Sequence, residues 1–160
     1  MYKKSKNRIY LLLFVVLALA FYFIIGCSSV PEPPPCVNKS ALNSMVRWGE
    51  IKNGTTTKNW TLKTNGLIEE WNGDNFDDDK SGEFVNYMNP DTLCLVLRQL
   101  GELVVEIQSL NVPADKNHFI EYKNPERDFY FRALWDPEFD NQGNKKFAEL
   151  YKRLVNLTKK

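Results

Sequence analysis

Two stretches of the chain repeat apolar residues at intervals of three and four, the spacing of one helix face. The first follows Asn89-Pro90, a capping residue with proline at the first helical position, and we expect it to end near Asn111, before Pro113. The second begins near Asn144. The apolar positions are Leu93, Val96, Leu97, Leu100, Leu103, Val104, Ile107 and Leu110 in the first helix, and Phe147, Leu150, Tyr151, Leu154 and Leu157 in the second.

Alternating apolar and polar residues before and between these helices predict two β-hairpins. In the first, an Asn65-Gly66 turn joins residues 60–64 to residues 67–71 and pairs Thr64 with Leu67, and hence Trp60 with Trp71. In the second, residues 118–122 and 128–135 flank a turn at 124–127, and one strand face carries Phe129, Phe131, Ala133 and Trp135. Residues 37–58 are ambiguous, since 40–48 fits a short helix or an early strand.

The element order hairpin, helix, hairpin, helix predicts an α+β fold, with an antiparallel sheet of two hairpins and two helices packed on one face. We expect a single domain of this kind over residues 36–160. The order is loosely similar to that of small uncharacterised lipoprotein domains and of emfourin-type protease inhibitors. That likeness implies inhibition of an extracytoplasmic protease as an alternative function, although no inhibitory motif matches a position in this sequence.

Residues 9–25 form an unbroken apolar and aromatic run behind a basic segment that holds Lys3, Lys4, Lys6 and Arg8. This charge pattern is typical of a secretory signal peptide, whereas the length of the run also fits an uncleaved transmembrane anchor. Positive charge stays on the cytoplasmic side of a membrane, so both interpretations place the rest of the chain outside the cytoplasm.

The run ends in Ile24-Ile25-Gly26-Cys27, which resembles a bacterial lipobox. It departs from the commonest form, which has leucine at the first position and a small residue at the second. The resemblance implies recognition of Ile24, Ile25 and Gly26 by the signal peptidase, removal of residues 1–26, and a diacylglycerol and an N-acyl chain on Cys27. Each buried methylene contributes about 0.8 kcal/mol, so two or three chains hold a protein durably at a membrane.

Residues 27–35 end in Pro31-Glu32-Pro33-Pro34-Pro35, which predicts a stiff extended tether. Ser28, directly after the lipidated cysteine, favours the outer over the inner membrane of a Gram-negative envelope. From Cys27 onward the chain holds 17 basic and 20 acidic residues, a net charge of about −3. Nucleic acid is therefore not an expected partner, because binding to it depends on Lys and Arg that neutralise phosphates.

Two further groups of residues have alternative interpretations. Cys36 and Cys94 fit a disulfide outside the cytoplasm, or else a free thiol in the tether and a buried small apolar residue. The spacing of Asp77, Asp79, Ser81 and Glu83 around Gly82 matches the first half of a calcium loop, but Met88 stands where the bidentate Glu belongs. A solvated acidic loop is the preferred interpretation, and we expect no other metal or cofactor.

The segment from Trp135 to Asn144 is rich in turn-forming residues, and its flanking Trp135 and Phe139 also fit a ligand contact. His118, the one histidine, is interpreted as structural rather than as a general base, because no nucleophile motif accompanies it. An exposed cluster around Trp48, Trp60 or Trp71 would instead mark a contact surface.

No catalytic residues are assigned from the sequence. The favoured function is a membrane-anchored envelope lipoprotein that presents a small non-catalytic domain to an envelope protein. A hydrolase is the enzymatic alternative, with carboxylates from the 74–83 loop brought together in the fold with Asp128 or Asp136.

Overall fold

The computed structural model describes residues 30–73, 80–139 and 142–159, and the chain from Glu32 onward forms one compact unit. Within these residues, seven strands build one sheet in the order β4-β3-β2-β1-β6-β7-β5. The strands are β1 (Met45–Lys52), β2 (Thr55–Lys63), β3 (Leu67–Asn72), β4 (Glu83–Tyr87), β5 (Leu110–Asn111), β6 (Lys116–Asn124) and β7 (Phe129–Trp135). The helices are α1 (Pro90–Glu106) and α2 (Gln142–Leu157), with short 3-10 turns at Lys39–Ala41 and Pro125–Arg127.

The predicted fold of two separate hairpins is wrong, because β1 lies at the centre of the sheet and joins them. It pairs antiparallel with β2 on one side and with β6 on the other. At the far edge β5 runs parallel to β7, so the sheet is mixed. The fold is a seven-stranded, mostly antiparallel sheet with two helices.

The turn between β1 and β2 is an Asn-Gly hairpin turn that the sequence analysis did not predict. Asn53 and Gly54 both have positive φ, 51° and 77°, and the flanking Lys52 and Thr55 pair directly. Two successive residues with positive φ make a type I′ turn, for which Asn-Gly is the favoured pair. This turn fixes the register of the central hairpin.

The register predicted for the second Asn-Gly hairpin is wrong by one residue. Trp60 pairs with Glu70, and Trp71 pairs with Asn59. The loop is longer than two residues, because the Gly66 N–H bonds to the carbonyl of Lys63 and only Gly66 takes a positive φ. Since strand side chains alternate, the shift sends the two tryptophans to opposite faces of the sheet.

Helix α1 begins as predicted, with Asn89 Oδ1 accepting from the Asp91 N–H. It ends at Glu106 rather than near Asn111, because Leu110 and Asn111 pair with β7 instead. Within the described residues, no helix is long and apolar enough to cross a membrane.

Both helices pack on one face of the sheet and form the core with it. The buried apolar side chains of this core include Val46, Trp48, Trp60, Leu62, Ile68, Ile120, Phe131, Ala133 and Trp135 from the strands, and Leu93, Val96, Leu100, Phe147, Leu150, Tyr151 and Leu154 from the helices. The helices are antiparallel, because Lys146 contacts Glu106 while Arg153 contacts Gln99. Helix α2 lies over the part of the sheet where β7 ends.

Candidate distal groove

The described N-terminal segment is fixed to one end of the sheet. Cys36 is joined to Cys94, in the first turns of α1, by a disulfide bond. Cys36 also lines a cavity with Ser44, Thr64 and Phe129, which lie at the start of β1, the end of β2 and the start of β7. We call this the tether end of the sheet.

The opposite end of the same strands, which we call the distal end, carries an open groove. Glu50, His118 and Trp135 are aligned there by strand pairing. Phe129 and Trp135 are the first and last residues of β7, so the two ends lie about 20 Å apart. The distal groove has a volume of about 520 Å³ and is lined by His118, Trp135, Asp136, Pro137, Phe139, Asn144, Lys145, Ala148, Glu149, Tyr151, Lys152, Val155, Asn156 and Lys159.

Aromatic rings form the floor of the distal groove. The His118 ring stacks on that of Tyr151, with centroids 4.1 Å apart, and Trp135 meets both rings edge-on at 6.0 and 5.8 Å. On the other side, His118 Nε2 lies 3.6 Å from Glu50 Oε1. These contacts bring together residues from β1, β6, β7 and α2, and they hold His118 in one orientation.

Burial dominates the electrostatics of this floor. It lowers the pKa of His118 below its ordinary value of 6.5, against an opposing effect of Glu50, which favours the neutral imidazole. Burial also raises the pKa of Tyr151, with Glu50 adding to the rise. The Tyr151 hydroxyl is buried without a hydrogen-bond partner, which is uncommon for a native polar group.

The rim of the groove comes from the loop after β7, where the sequence suggested either a turn or a ligand contact. The structure shows the turn, and a ligand contact stays a prediction. Asp136 Oδ1 accepts from the Glu138 N–H, and Asn144 Nδ2 donates to the Phe139 carbonyl. These bonds shape a turn that leaves the Phe139 side chain 61% exposed, although its ring is large and apolar.

Helix α2 supplies a row of lysines that the sequence analysis did not single out. Lys145 and Lys152 are seven residues apart, about 10.5 Å along one side of α2, and Lys159 follows seven residues later, just beyond the end of the helix. None of them forms an ion pair with a described residue. Glu149 and Asp136 also line the groove, so its charge is mixed. In the sequence, the seven-residue spacing is the one signal of this row of lysines. Their side chains lie beside Ala148 and Val155 and are not part of the buried face of the helix.

The remaining predicted site residues either fall outside the described residues or lie on other elements. Ile24, Ile25, Gly26, Cys27, Asp77 and Asp79 are outside the described residues. Ser81 and Glu83 precede and begin β4 at the far edge of the sheet. Within the described ranges, no group of three or more His, Cys, Asp or Glu side chains is placed to hold a metal ion.

Trp48, Trp60 and Trp71 do not form an exposed cluster that would mark a contact surface. Trp48 is fully buried, and Trp60 and Trp71 are 7% exposed. Trp48 and Trp60 stack under the helices at 6.1 Å, and the Trp71 indole donates to Thr61 on the other face. Their role is packing, and the exposed aromatic side chains are elsewhere.

The carboxylates considered for a hydrolase are not brought together where the structure describes them. Asp128 and Asp136 flank β7 at opposite ends. Glu83 in β4 lies five strands from β7, about 24 Å at the usual strand spacing.

No family model, no curated protein and no solved structure matches this chain.

Proposed function

We propose that this protein is a lipid-anchored binding protein of the bacterial cell envelope. Its folded unit offers the distal groove to an envelope partner and catalyses no reaction. The observation that carries the proposal is the position of the groove, at the end of the sheet opposite to the one at which the N-terminal segment enters.

The anchor in this proposal rests on the sequence. The basic segment, the apolar run and the lipobox-like Ile24-Ile25-Gly26-Cys27 together fit a lipoprotein signal. A disulfide clamp between Cys36 and Cys94 suits an oxidising compartment outside the cytoplasm. The tether enters the other end of the sheet, so it does not obstruct the access of a partner to the distal groove.

Binding fits the groove better than catalysis does. Its lining residues include no Ser, Thr or Cys to serve as a nucleophile beside His118. The imidazole instead packs between rings. Phe139 is exposed, and Pro137 and Val155 are half-buried, so the groove has apolar surface. Three lysines without an ion pair to a described residue add charge, and such a mixture of apolar and charged surface is common at interaction sites.

Site-specific crosslinking in intact cells tests this function. A photoreactive phenylalanine analogue is placed at Phe139 on the groove rim and, as a matched control, at Phe84 on β4, which is 56% exposed. We expect a discrete protein adduct from position 139 that Lys152→Glu abolishes, whereas Arg98→Glu on the exposed side of α1 does not. Equal adducts from both positions, or none from position 139, would contradict a binding role for the groove.

A further inference from the structure

The tether end collects exposed apolar side chains. Leu42, Phe129 and Tyr130 are 44%, 40% and 59% exposed and lie around the start of β1 and β7. Tyr87, at the same end of β4, is 44% exposed. Solvent-facing clusters of this kind on a small protein usually mark a contact surface.

Two open cavities lie between these side chains and share Ser44 and Thr64. One, of about 200 Å³, lies against α1 and is lined mainly by apolar groups such as Leu97, Val104 and Phe129. The other, of about 310 Å³, holds Leu42, Met45, Lys63, Thr64, Lys123 and Pro125 among its lining residues. A Cβ added at Gly101 would meet nothing within 4 Å, so the packing at this end leaves room beside α1.

A row of amphipathic side chains crosses the same end of the sheet. Strand pairing aligns Lys63 with Met45, Met45 with Lys123, and Lys123 with Tyr130. Lys63 pairs with Glu69, and the Tyr130 hydroxyl donates to Glu121, so these side chains offer mainly their apolar stems to a bilayer surface. Glu126 and Asp128 lie in the adjoining turn, and their negative charges offset those of the lysines. Apolar contact rather than net charge would therefore be the main attraction of this surface to a bilayer.

The N-terminal segment keeps this end close to any membrane anchor at Cys27. Pro34 is buried, and its carbonyl accepts from the Val37 N–H, so the chain is already part of the folded unit there. Seven residue steps separate Cys27 from Pro34, which span at most about 25 Å. The tether end is therefore the part of the folded unit that the chain joins to Cys27, over a segment of at most about 25 Å.

We infer that the tether-end surface, made of Leu42, Phe129, Tyr130, Lys63 and Lys123, rests on the lipid bilayer. The inference depends on the proposed anchor and adds an orientation to it. The apolar side chains enter the headgroup region, the lysines stay at its level, and the distal groove points away from the membrane. The occupant of this surface is lipid rather than a second protein.

Fluorescence quenching in reconstituted vesicles tests the inference on the full chain. A small fluorescent amino acid is placed at Leu42, Phe129 or, as control, Phe139 of protein extracted from membranes. Each variant is reconstituted into vesicles of phosphatidylcholine and phosphatidylglycerol that contain headgroup spin-labelled lipid and no other protein. We expect loss of fluorescence at positions 42 and 129 and no loss at position 139.

Two results distinguish the outcomes. Vesicle flotation of the same samples reports the anchor, so floated protein with no loss at positions 42 and 129 overturns the bilayer contact and leaves the anchor intact. Protein that does not float contradicts both. In floated protein, Leu42→Ser with Phe129→Ser should reduce quenching of a label at Tyr130, and unchanged quenching there would also contradict the proposal.

Discussion

Removing the disulfide should destabilise the folded unit by a calculable amount. Cys36 and Cys94 are separated by 58 residues, and closing a loop of that length removes about 14 cal/mol/K of entropy from the unfolded chain, or about 4 kcal/mol at 25 °C. Cys36 is exposed and Cys94 half-buried. Serine at both positions therefore changes little packing, and the variant isolates the effect of the crosslink.

Urea unfolding followed by tryptophan fluorescence measures this effect, since Trp48, Trp60, Trp71 and Trp135 are all buried. With a urea dependence near 2 kcal/mol/M, the midpoint of the double serine variant should fall by about 2 M. Reductant should lower the wild-type midpoint similarly and leave the variant unchanged. A midpoint shift below about 0.5 M would refute the chain-entropy argument for this bond.

Four further predictions concern two glycines, one in β1 and one in α1, and two residues of the groove floor. Gly49→Ala should lower the unfolding free energy by roughly 2 kcal/mol or more, because the new Cβ would lie 2.3 Å from the Lys58 carbonyl oxygen. Gly101→Ala in α1, where there is open space for a Cβ, should raise the unfolding free energy by about 0.5–1 kcal/mol. Since burial lowers the pKa of His118 below 6.5, the unfolded chain binds the proton more readily. The urea midpoint should therefore hold above pH 7 and fall as pH drops below 6.5, and His118→Phe should flatten that slope. Tyr151→Phe, which removes a buried hydroxyl without a partner, should leave stability unchanged or raise it by about 1 kcal/mol in the same unfolding assay, and a loss above that size would show that the hydroxyl is bonded.

The helices were predictable because their signals are local. Asn89-Pro90 marks the start of α1, and the spacing of three and four shows its buried face. Its end was not predictable, because Leu110 continues the helical spacing but pairs with Ala133 in β7. The pairing with β7 determines the conformation of Leu110, and the helical pattern contains no sign of that pairing.

The central strand is ambiguous in the sequence, where residues 40–48 fit a short helix or an early strand, for two local reasons. Gly49 interrupts its alternation of side chains, and it is needed there because β2 approaches too closely for any Cβ. The Asn53-Gly54 pair is itself a hairpin signal that the sequence analysis does not use, although both residues take the positive φ that such a turn requires. Recognition of that turn would have predicted β1 and β2 together.

The distal groove was only partly visible in the sequence. The loop between Trp135 and Asn144 suggested a contact because of its flanking aromatic residues, and Phe139 is on the rim. The approach of Glu50 to His118 depends on the pairing of β1 with β6. Such long-range pairing leaves no mark in the spacing of either strand, so the floor of the groove emerged only from the structure.

The lipid on Cys27 is the central claim, and intact mass spectrometry of membrane-extracted protein tests it most directly. We predict a chain that begins at Cys27 and carries the mass of two or three acyl chains, with this species lost in Cys27→Ala. Full-length, unacylated protein in both samples would contradict the claim and make residues 9–25 an uncleaved membrane anchor.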